Sequence, residues 1–61
     1  SSAKFKDRNA TVLYHLGMAY DKSGDYTRAK ESFSKALKVN QNFREAKEAK
    51  QALDEIGAKS G

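Results

Sequence analysis

Apolar residues recur at intervals of three and four along most of the chain. Between residues 10 and 23 the positions are Val12, Leu13, Leu16, Ala19 and Tyr20, which fall on one stripe of a helix. Between 26 and 39 they are Ala29, Phe33, Ala36 and Leu37, and between 43 and 57 they are Ala46, Ala49, Leu53 and Ile56. This pattern predicts an all-α chain of three helices over 10–23, 26–39 and 43–56, each burying one face.

The intervening residues supply stops and starts. Asn9, Asp25 and Asn42 each stand where a helix N-cap is needed, since a short polar side chain can accept from an orphan backbone N–H. Asn42 followed by Glu45 has the spacing of a capping box. Gly24 stands just past the first helix, where a left-handed residue closes the last turn. Gly57 occupies the same place after the third helix, and 58–61 reads as a disordered tail. Gly17 is different. It lies inside the first helix, so its cost of roughly 1 kcal/mol in helix propensity needs an offsetting close approach of a partner helix. Ala29 and Ala36 leave room for Tyr20 and Leu16, while Phe33 fills the gap between them.

Leu13, Leu16-Gly17, Tyr20, Gly24, Ala29, Phe33 and Ala36 together resemble, nearly position for position, one tetratricopeptide repeat, whose period is 34 residues. Two positions depart from the family pattern: Leu13 stands where Trp is common and Gln41 where Pro is common. The resemblance implies an antiparallel helix hairpin over 10–42 and a polar-backed capping helix over 43–57, hence a three-helix fragment of a right-handed α-solenoid. Stepping the frame back one period makes 1–9 a linker or the tail of a preceding repeat. Ala3 and Phe5 would be its last apolar positions, Lys6 to Asn9 the connecting loop, and Ser1-Ser2 a cloning remnant. The final helix, Ala- and Lys-rich and ending Leu53-x-x-Ile56, also resembles the C-terminal ends of some bacterial tetratricopeptide proteins. The chain is thus expected to be the C-terminal part of a longer protein.

Length changes the energetic picture. At 61 residues a domain buries only roughly 60% of its unfolded surface and is marginal alone. With no cysteine and one histidine, disulfide and zinc staples are unavailable, and stability must come from helix packing, self-association or neighbouring repeats. No apolar run approaches the ~18 residues of a membrane span. The net charge of +4, from 12 basic and 8 acidic residues, invites a nucleic-acid partner. The signs mix along the helices (Lys30-Glu31, Lys47-Glu48, Lys50 with Asp54), which describes a solvated surface rather than a phosphate-binding stripe.

Candidate chemistry is sparse. His15 is the one histidine, and Asp21, six residues on at about 100° per residue, faces elsewhere. Ser23, Ser32 and Ser34 lack an adjacent base, Gly17 and Gly24 serve helix geometry rather than a phosphate loop, and no ligand set for a metal or cofactor stands out. The sequence points away from an enzyme.

A second stripe of the first helix carries Thr11, Tyr14, Met18, Asp21 and Lys22. Tyr14 and Met18 are four apart and share a face. In tetratricopeptide proteins the corresponding side lines a concave groove for a partner's peptide, so the resemblance implies that these five residues form a partner-binding groove. The alternative is that Tyr14 and Met18 pack on the third helix, on a neighbouring helix or in a homodimer. One subfamily grips terminal carboxylates with Lys, Asn and Arg on this helix. Here Tyr14, His15 and Met18 stand there, so an apolar or mixed peptide, or a protein surface, is the expected ligand. The net positive charge would favour an acidic flank on it.

Overall fold

In the computed structural model the backbone is described for residues 2–60 and the side chains for residues 8–59. Ser1 and Gly61 lie outside the described residues, as do the side chains of Ala3 and Phe5, and with them the roles expected of those positions. The described residues form three helices, α1 Ser2–Ser23, α2 Tyr26–Val39 and α3 Ala46–Ser60, and no strand. The α1–α2 hairpin carries α3 packed against α2, which is the expected repeat hairpin plus a third helix.

The turn between α1 and α2 is closed by the backbone. Gly24 adopts φ +85°, a conformation nearly free of penalty only for glycine. Its N–H donates to the Asp21 carbonyl at 3.0 Å and the Asp25 N–H to the Tyr20 carbonyl at 2.9 Å. These two bonds make a Schellman closure and satisfy orphan carbonyls of α1. Asp25 then caps α2 by accepting from the Arg28 N–H at 3.5 Å. The bounds of α2 coincide with those expected from its apolar spacing.

The other helix ends differ from expectation. α1 begins at Ser2 rather than Ala10, so Asn9 lies within the helix and caps nothing. Residues 2–16 contain neither Gly nor Pro, and a single Asn loses only a few tenths of a kcal/mol in a helix, too little to stop it. α3 begins at Ala46 rather than 43 because the preceding turn is organised by Asn40. The Asn40 N–H donates to the Ala36 carbonyl at 3.1 Å, and its side-chain oxygen accepts from the Asn42 N–H at 3.0 Å. The Asn42–Glu45 capping box therefore does not form. At its other end α3 passes through Gly57 to Ser60. Among the described residues only Gly24 has positive φ, so Gly57 is an ordinary helical residue.

The core consists of Ala10, Ala29, Phe33, Ala36, Phe43, Ala46, Ala49 and Ile56. Leu13, Tyr14, Met18 and Tyr20 of α1 pack on it, half-buried. The expected α1 stripe is thus rotated. Leu13 and Tyr20 pack, but Val12 is 63% and Leu16 43% exposed, and Ala19 is exposed as well. The face that meets α2 runs instead through Ala10, Tyr14, Gly17 and Asp21, spaced four, three and four. The physical cause lies at Gly17: the Phe33 ring occupies the space a side chain there would fill, which turns Gly17 rather than Leu16 toward α2.

Candidate functional site

α1 and α3 each pack on α2 and touch one another far less, so they stand as two walls beside it. One direct bond ties α1 to the turn that leads into α3. The Thr11 hydroxyl donates to Glu45 Oε1 at 3.1 Å, between residues 34 positions apart. That separation equals one repeat period. The same step takes Tyr14 to Glu48, Met18 to Ala52 and Asp21 to Glu55. Each row has spacings of three, four and three, which keep its members on one helix face. By this step α3 carries, one period on, the positions that Tyr14, Met18 and Asp21 hold on α1.

Tyr14 joins the walls to the core. Its ring centroid lies 5.7 Å from that of Phe33 and 6.4 Å from that of Phe43, distances at which tilted aromatic pairs attract. His15, exposed, meets its edge at 5.6 Å. Burial raises the Tyr14 phenol above its ordinary value, and the carboxylates of Glu48 and Glu45 push it further in the same direction.

Of the five residues expected in the groove, Thr11, Tyr14, Met18 and Asp21 are partly buried and Lys22 is exposed. Tyr14 and Met18 rest against the core rather than standing free. Asp21 Oδ1 is enclosed and has no hydrogen-bond partner among the described residues. Two residues were read differently from sequence: Glu45 as a cap and Glu48 as part of a solvated back face. The signal that places them here is the 34-residue step from Thr11 and Tyr14. Two shallow concavities of about 360 Å³ lie elsewhere, one lined by Thr27, Lys30, Glu31 and Ser34, the other by Leu37, Lys38, Gln41 and Lys50 together with Ser34. Both are open surface dips. Among the described residues no three side chains converge as metal ligands, and no helix is long and apolar enough to cross a membrane.

The remaining marked positions divide by role. Ala29, Phe33 and Ala36 are fully buried. Tyr20 is half-buried, with the Arg28 guanidinium 6.0 Å from its ring centroid. Gly17 admits Phe33 and Gly24 closes the turn. This pattern of small, aromatic and left-handed positions is the tetratricopeptide one, and the tetratricopeptide repeat profile matches residues 10–43. The chain belongs to the tetratricopeptide repeat family. No curated protein and no solved structure matches it. Tetratricopeptide repeats are helical hairpins that generally mediate protein–protein interaction without catalysing a reaction.

Proposed function

We infer that this tetratricopeptide unit is a non-catalytic interaction module that presents the α1–α3 side to a peptide or protein partner. Thr11, Tyr14, Met18, Asp21 and Lys22 form one wall. The observation that supports this reading is the Thr11–Glu45 bond across one period, which joins the start of a second, matching row to the first. The partly exposed Met18 and Ala52 offer apolar contact in the middle of these rows. Peptides selected for binding to the chain test it. Met18→Gln, which keeps the length of the side chain, and Lys22→Ala, at an exposed position, should weaken the selected ligands several-fold in variants whose helicity by circular dichroism is retained. Ligands indifferent to both changes would bind elsewhere and remove the assignment.

A second reading is favoured by a separate observation. Val12 and Leu16 are exposed apolar residues on α1, on a face the hairpin does not cover. In this reading the chain is a structural cap or self-association element of a solenoid, and two copies pair through that face. Sedimentation over a wide concentration range tests it: a dimer abolished by Leu16→Glu supports pairing, and a monomer at every concentration excludes it.

A further inference from the structure

Carboxylates recur along the α1–α3 rows of a chain that is basic as a whole, and this bears on what can occupy that side. The inference rests on the groove reading above. The chain as a whole is +4, which by itself favours an acidic ligand. By the 34-residue step Glu45, Glu48 and Glu55 correspond to Thr11, Tyr14 and Asp21; Glu45 bonds Thr11 directly, and Lys22 is the neighbouring cation on α1. Lys59, at the far end of α3, is held over the Tyr26 ring at 5.8 Å. Among the described residues the ion pair present is Arg28 with Asp25, in the hairpin turn; Arg44 and Lys59 stand four residues from Glu48 and Glu55 without forming a direct ion pair with them. The Thr11–Glu45 bond joins one of these carboxylates to α1, and Glu48 and Glu45 add to burial in raising the Tyr14 phenol. Lys30, Lys38 and Lys50 lie at the separate concavities.

Distance decides which charge a ligand feels. Salt screens exposed charges beyond about 8–10 Å. A segment seated between the walls is therefore governed by the carboxylates beside it, while the net charge acts only on distant approach. The middle of the site is apolar, with Met18 and Ala52 partly exposed, and its rim is anionic. We propose that the occupant is a cationic peptide segment, with Lys or Arg side chains set among apolar ones. Its apolar residues lie on Met18, Ala52 and the Tyr14 ring, and its ammonium or guanidinium groups meet Glu48, Glu55 and Asp21. Each such contact is weak when exposed, so several together are needed for discrimination.

Two short synthetic peptides with one apolar frame of Leu and Ala, one carrying Lys and the other Glu at the remaining positions, test this by amide chemical-shift titration of the whole chain. The Lys peptide should bind about tenfold more tightly at low ionic strength, as the sum of several weak ion pairs. It should perturb amides within 11–22 and 45–55. The preference should shrink as salt is raised and be lost in the double variant Glu48→Gln/Glu55→Gln, both sites being exposed and the helix content checked by circular dichroism. Equal or tighter binding of the Glu peptide at the same amides overturns the charge assignment and leaves the groove standing. Perturbation confined to other faces, or binding of neither peptide, overturns both.

Discussion

The Phe33 ring lies where Gly17 would carry a side chain. A Cβ built on Gly17 would stand 2.8 Å from Phe33 Cε1 and 2.9 Å from Cδ1, well inside van der Waals contact. The ring is fully buried between the helices and cannot swing into solvent. Gly17→Ala should therefore destabilise the fold. Overpacking typically costs about 1–3 kcal/mol, against a helix-propensity gain of roughly 1 kcal/mol. Urea unfolding followed by circular dichroism should show a lower midpoint, and a raised midpoint would refute the contact.

The other helical glycine gives the opposite sign. Nothing lies within 4 Å of a Cβ built on Gly57, and α3 continues through it. Gly57→Ala should raise stability by up to about 1 kcal/mol, less if the helix end frays. Gly24→Ala, also with open space around it, should lower stability, because its φ of +85° disfavours any side chain. If the three substitutions moved the urea midpoint in one direction, glycine count rather than backbone geometry would be controlling stability.

How far these features were legible in the sequence depends on what each signal resolves. The hairpin was readable because Gly24, Asp25 and the Ala29-Phe33-Ala36 row each have one plausible use. The rotation of α1 was not. That helix carries apolar residues on two sides, Val12 and Leu16 on one and Tyr14 and Met18 on the other, and periodicity alone does not choose between them. Gly17 chooses, by admitting Phe33, and the sequence marked that close approach without fixing which neighbours turn with it. The start of α3 was missed because Asn40 and Asn42 are equally good turn formers, and Asn40 holds the bonds. The α3 wall was missed because Glu45 and Glu48 are ordinary surface helix residues until Thr11 and Tyr14 are aligned with them one period back.

Phe33 should be the most sensitive core position. It is fully buried and is the largest of the fully buried side chains, with Ile56, and it touches both Gly17 and Tyr14. Phe33→Ala should cost about 3–5 kcal/mol, which in a domain this small is enough to unfold it. The helical circular-dichroism signal at 25 °C should be largely lost. Retention of a cooperative transition near the parent midpoint would mean that the core is not centred on this ring.

Alkaline pH should loosen the fold through Tyr14. Its phenol is raised above the ordinary value near 10, first by burial and then by Glu48 and Glu45. A group whose folded value is raised contributes stability that is fully present below the unfolded value and is lost as pH climbs through the folded one. Unfolding midpoints should thus fall above about pH 10, and Tyr14→Phe should remove that part of the decline. Ultraviolet titration of the parent should show one tyrosine ionising later than in the Tyr14→Phe variant, and Glu48→Gln should bring that late ionisation down. Superimposable titrations of parent and Glu48→Gln would deny the proximity of the two side chains.

The exposed face of α1 offers the sharpest test of its rotation. If Leu16 and Val12 faced α2, replacing either with Lys would bury an ammonium group and unfold the hairpin. Because they are 43% and 63% exposed, Leu16→Lys and Val12→Lys should change the stability of the monomer by no more than about 0.5 kcal/mol, the ordinary range for surface positions. The measurement must be made dilute enough that association does not contribute, since a partner bound to the folded chain stabilises it by mass action. At higher concentration the two effects separate. A loss of stability that appears only as the protein is concentrated assigns this face to contact between copies, whereas a loss at every concentration returns Leu16 to the hairpin core and overturns the orientation of α1.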